Sequence, residues 1–169
     1  TERKIAGKII VLRNDEKTRK EEKIVLVEVK TNISGIPVTG ESTGKFDWKD
    51  ELNLYNSLHQ ALIVPKIEKT IFDLSNNPDF KDNGKHIFGE YINYGLEKDG
   101  KIFVYIQPFT DCKTAFFNVK DQNAGLINEK YKDYFTVFKF GLDANLLTVT
   151  GSVIEIGIKN VFIFKLADF

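Results

Sequence analysis

Residues 48–62 read WKDELNLYNSLHQAL, and nowhere else do the apolar residues recur at helical spacing. Trp48, Leu52, Tyr55, Leu58 and Leu62 follow one another at intervals of four, three, three and four residues, which places them on one face of a 3.6-residue helix. Asp47 can cap its start and Pro65 lies just beyond its end. The rest of the chain reads as strand after strand. A lone amphipathic helix among strands must bury its stripe over an open sheet face or a barrel mouth.

Upstream, Lys4 to Arg13 and Glu22 to Thr31 are β-rich runs joined by a charged tip, and they read as a hairpin. Downstream, strands are predicted at Lys66 to Leu74, Ile87 to Tyr94, Ile102 to Ile106, Thr114 to Val119 and Tyr134 to Phe140. Asp99-Gly100 is a tight-turn signal between two of them. Leu146 to Ile158 changes the parity of its apolar residues midway, which a β-bulge near Ser152 or Val153 would reconcile. Val161 to Leu166 carries apolar residues on both parities. With nine to eleven strands and one helix, the pattern predicts a single domain over residues 1–169. Its class is all-β: a two-sheet antiparallel, jelly-roll-like sandwich or a closed barrel, covered by the helix near 48–62.

Lys plus Arg equals Asp plus Glu at 24 each, and only three of the cations are arginine. No overall field steers such a chain toward nucleic acid or an anionic membrane, and bidentate phosphate recognition by Arg is scarce. No apolar run reaches the length of a membrane span, so membrane insertion is not expected. The one cysteine, Cys112, allows no internal disulfide and no cysteine-built zinc site. These features favour an intracellular or virion-associated setting over secretion.

Few residues offer chemistry. His59 and His86 have no ligand-spaced partners, and a small buried thiol is the plain reading of Cys112. Gly40-Glu-Ser-Thr-Gly44-Lys45-Phe46 has three residues between its glycines where a phosphate-binding loop needs four, and Phe where that loop needs Ser or Thr. No catalytic residue and no cofactor is expected. Asp73, Asp79 and Asp82 lie within ten residues in a polar loop, and oxygen-rich loops of this kind can hold calcium. The stretch from Phe72 to Glu90, with its aromatic-Asp start and its closing Phe88-Gly-Glu90, resembles the third calcium loop of a C2 domain. That resemblance implies a peripheral binding module with a weak or lost calcium site at 73–82, carried by Asp73 with Asp79 and Asp82 as helpers. The chain departs from the C2 pattern at Ser75, where a second aspartate is wanted, and at Trp48 to Tyr55, where the pattern wants a strand.

The leading expectation is a non-enzymatic structural subunit of a larger assembly, such as a virion or tail component, whose partners are copies of itself or other protein subunits. In a sandwich each strand turns one face to water, so an apolar outer face needs cover. Val161, Phe162, Ile163 and Phe164 are therefore the expected interface.

Overall fold

The computed structural model describes residues 15, 17–32, 43–81, 97–98, 101–102, 107–118, 120–121, 125–126, 128–143, 151–153 and 159–165. Its elements are β1 (Lys20–Lys30), α1 (Trp48–Gln60), β2 (Ile63–Asp73), β3 (Glu97–Lys98), β4 (Lys101–Ile102), α2 (Gln107–Phe117), β5 (Lys120–Asp121), β6 (Gly125–Leu126), β7 (Phe135–Asp143), β8 (Gly151–Val153) and β9 (Asn160–Lys165), with one-turn 3₁₀ segments at Pro78–Phe80 and Glu129–Tyr131. Five strands form one sheet in the order β2-β1-β7-β9-β8. The first four run parallel, and only the short β8 is antiparallel.

This is an α/β arrangement, and it corrects the expected all-β class. There is no second sheet stacked on the first among the described residues, and the described strands do not close into a barrel. The misreading has a definite source. Ile24 to Val27 is apolar at every position and wholly buried, as in an interior parallel strand covered on both faces. Sandwich strands alternate, whereas these do not.

The two faces of β1 are covered by different helices. On one, Val25, Val27 and Val29 pack with Phe138, Phe140 and Phe162 of the neighbouring strands, with Phe72 and Leu74, and with Phe109, Cys112 and Phe116 of α2. Phe138 and Phe162 stack at 4.8 Å, Phe109 lies 4.9 Å from Phe162, and Phe116 sets its edge 5.3 Å from both Phe72 and Phe138. On the other face, Ile24, Leu26, Phe46 and Val137 form a smaller core that half-buried Leu54 and Leu58 of α1 close.

The helix predicted at 48–62 exists, and Asp47 caps it through a reciprocal box. The Asp47 carboxylate accepts from the Lys49 and Asp50 amides at 2.8 Å each, and Asp50 accepts from the Asp47 amide at 3.0 Å. Its C-terminal exit turns on Leu62, whose φ of 60° is a left-handed conformation that costs a non-glycine residue about 1 kcal/mol. The expected inward stripe, however, is not the buried one: Trp48, Leu52 and Tyr55 are exposed. Ion pairs fix the roll of the helix. Lys139 of β7 donates to Asp50 at 2.6 Å, and Lys69 of β2 pairs with Glu51. Asp50, Glu51, Leu54 and Leu58 share a flank, so turning them to the sheet rotates the Trp48 flank roughly a third of a turn away.

Glu97–Lys98 and Lys101–Ile102 pair antiparallel, while the expected Asp99-Gly100 turn lies outside the described residues. Thr114 to Val119, expected as a strand, falls largely within α2. Pro65 lies in β2, an edge strand of the described sheet, where a proline is tolerated. The expected strands at 4–13 and 87–94 lie outside the described residues, as does most of 146–158.

Candidate functional site

Four parallel strands present their carboxyl ends along one edge, the edge at which open α/β sheets usually bind ligands. There Lys30 ends β1 and Asp73 ends β2 in direct register. Lys30 Nζ donates to Asp73 Oδ2 at 3.0 Å. The other carboxylate oxygen, Oδ1, accepts the Ser75 amide at 2.8 Å and the Ser75 hydroxyl as well. The Ser75 hydroxyl, the Ser75 amide and then Lys30 hold the Asp73 carboxyl down at about 2.

The chemistry follows from that depression. A carboxylate so weakly basic cannot take the proton of Ser75, so the pair is no activated nucleophile. Both oxygens are already occupied, Oδ1 by donors of Ser75 within the turn and Oδ2 by Lys30 of β1. Asp79 sits in a separate turn, where its amide donates to Asn77 Oδ1 at 2.9 Å, so that Asn77 caps the Pro78–Phe80 segment. Buried Phe80 pins this loop, and its carbonyl accepts the Asn32 amide at 3.1 Å. Asp82 lies outside the described residues, and among the described residues no group of three His, Cys, Asp or Glu side chains could hold a metal ion. Asp73 and Asn77 thus build consecutive Asx turns, the second closed on the Asp79 amide. The helix at 48–60 occupies the place where the C2 pattern needs a strand, so the C2-like reading does not survive the fold.

The crevice beside this turn is filled by the chain itself. β1 is followed by its parallel neighbour β2 on one side and β7 by β9 on the other, so the strand order reverses at the gap between the carboxyl ends of β1 and β7. Thr43 bridges Lys30 on one side and Phe140 on the other, and the Gly44 amide donates to the Val29 carbonyl at 3.0 Å. Only glycine fits, because a Cβ at position 44 would lie 2.0 Å from the Lys139 carbonyl oxygen. Glu28 accepts the Phe46 amide at 2.9 Å and tethers the same segment.

Cys112 is fully buried in the α2 core, and burial pushes its thiol well above the ordinary range. It remains protonated and is no nucleophile. His59 stacks on Tyr55 with ring centroids 4.0 Å apart, and its Nε2 is buried without a hydrogen-bond partner among the described residues. The His86 position lies outside the described residues.

The expected interface strand is β9, which lies between β7 and β8. Phe162 is fully buried under α2, Ile163 packs against the α1-side core, and Val161 is half-buried. The backbone of Phe164 belongs to β9 in register with Phe140. The two-sided apolar pattern here belongs to a strand inside a sheet.

The surface that sequence reasoning missed is the outward flank of α1. Trp48 is 68% exposed, Leu52 46% and Tyr55 42%. Their spacing was the signal for the helix itself. What the spacing lacked was the direction in which the ion pairs would turn it. No helix among the described residues is long and apolar enough to cross a membrane. No protein-family model, curated protein or solved structure matches this chain.

Proposed function

We propose that this chain is a non-enzymatic assembly subunit that docks on a second copy of itself through the outward flank of α1. One observation carries the reading: three large apolar side chains in a line, Trp48, Leu52 and Tyr55, are open on a helix that buries a different flank. Exposed apolar surface of this kind marks interfaces. The chain carries a formal net charge of zero, so two copies meet without long-range repulsion.

A two-fold contact is self-complementary. With two α1 helices antiparallel, Leu52 sits near the axis and each Trp48 meets the other copy's Tyr55. Three side chains supply roughly a few hundred Å² per copy, short of the roughly 800 Å² of a standard interface. The dimer is therefore weak and concentration-dependent. Sedimentation across a hundredfold range of concentration should show a rise in mass that Leu52→Glu abolishes while the melting curve stays unchanged. A monomer at every concentration, or a dimer indifferent to Leu52→Glu and Trp48→Ala, would overturn the reading.

A further inference from the structure

At the opposite edge of the sheet, where β7 and β9 begin, the molecule has a cavity of about 330 Å³. Lys113 and Phe117 of α2, Lys132 and Tyr134 of the segment before β7, and Lys159 and Asn160 at the start of β9 line it. Among the described residues no carboxylate does. Ligand pockets begin at roughly this size, and a wall with three lysines and no acid among its described residues favours an anion.

The lysines differ in what already occupies them. Lys132 pairs with Glu129, and Lys159 donates to Glu22 Oε1 at 3.0 Å and to the Asp133 carbonyl at 3.3 Å. Lys159, followed by Lys20, accounts for the lowered Glu22 carboxyl. Lys113 has neither an ion pair nor a hydrogen bond among the described residues. Asn160 is only 6% exposed, yet its amide makes no side-chain hydrogen bond among the described residues. That amide faces the open cavity and is free to hydrogen-bond a molecule there. The Tyr134 hydroxyl is spoken for, donating to Glu68 at 2.7 Å, so its ring serves as wall. Phe117 supplies a second aromatic surface, held edge-on by Phe116 at 5.1 Å.

We propose that this cavity binds a small organic phosphate monoester with a flat ring. In it, Lys113 takes the phosphate, Lys132 and Lys159 complete the positive field, and Asn160 and Phe117 meet the organic part. Lysine binds phosphate as a point charge, so it tolerates the geometry of a shallow site. Ring stacking on Phe117 adds selectivity for a planar group.

Adenosine 5′-monophosphate serves as the probe, with adenosine and inorganic phosphate as the halves of the same chemistry. Calorimetry at low salt should show saturable binding of the monophosphate, at least tenfold weaker binding of either half alone, and at least a tenfold loss in Lys113→Ala. Lys113 is only half-buried, so that variant keeps its melting curve. Phe117→Leu should weaken the monophosphate while leaving inorganic phosphate unchanged. No saturable heat at millimolar monophosphate, or binding indifferent to both Lys113→Ala and Lys159→Ala, would overturn the proposal. So would adenosine binding as tightly as the monophosphate.

Discussion

The two faces of the sheet are built differently. Under α2 lies a chain of aromatic rings, Phe109 on Phe162, Phe162 on Phe138 and Phe138 on Phe116, sealed from water. Under α1 lies a smaller, mostly aliphatic patch around Phe46, and the helix is held by Lys139–Asp50 and Lys69–Glu51 as well as by Leu54 and Leu58. One face excludes water by volume. The other positions a helix by charge and leaves its best apolar flank outside. Stability and availability are thus divided between the faces, and a helix that contributes less to the core has more to offer a partner.

The largest effect should come from the α2 face. Phe162→Ala removes a ring packed on Phe109 and Phe138 and should cost about 3–5 kcal/mol in a urea titration. Leu58→Ala, on a half-buried side chain of the other face, should cost about 1–2 kcal/mol. Equal costs would mean that the faces are equivalent and the comparison is wrong.

Asp50→Ala tests the charge half of the contrast. It leaves the buried Lys139 ammonium without its counter-charge and removes one arm of the capping box. The expected loss is about 2–3 kcal/mol, because an orphaned buried charge is expensive and a cap is worth about 1. Lys139→Met in the Asp50→Ala background should recover much of that loss. A double variant no more stable than the single one would show that packing, and not charge, sets the roll of α1.

The smallest effect lies at the carboxyl edge. The Asp73 carboxyl is held at about 2 in the fold, against a usual aspartate value near 3.8. A depressed folded value contributes stability above the unfolded value, and that contribution is lost as the pH falls from about 3.8 through about 2. The side chain is about half exposed, so solvent screening keeps the effect below about 1 kcal/mol. Stability curves of the protein and Asp73→Asn should therefore differ slightly at neutral pH and converge near pH 2. Curves that stay parallel down to that pH would show that the carboxylate is not engaged.

Much of this was legible in the residues, and the rest was hidden for physical reasons. Strands at β1, β2, β7 and β9 and the helix with its Asp47 cap follow from local pattern. Strand direction does not, because Ile24 to Val27 states only that both faces are covered and not by what. Helical spacing is not confined to 48–62 after all: Phe109, Cys112 and Phe116 are spaced by three and four, but β-favouring Phe and Thr residues in the same run masked that trace. The turn at Asp73 could be read from its Asx-rich composition, whereas Lys30 became its partner only through a cross-strand register. The cavity was least legible of all, since its described lining residues come from three separate segments.

The insertion of Thr43 and Gly44 between β1 and β7 also orders events in time. Residue 44 lies against the carbonyl of residue 139, so the first β-α-β unit cannot seat its own connecting segment until a strand from far along the chain has arrived. On a ribosome, β1 would wait beside β2 with one edge uncovered, a period in which strands are prone to pair with the wrong neighbour. Closure of the central sheet is thereby a late, non-local step, and chains of that kind fold slowly.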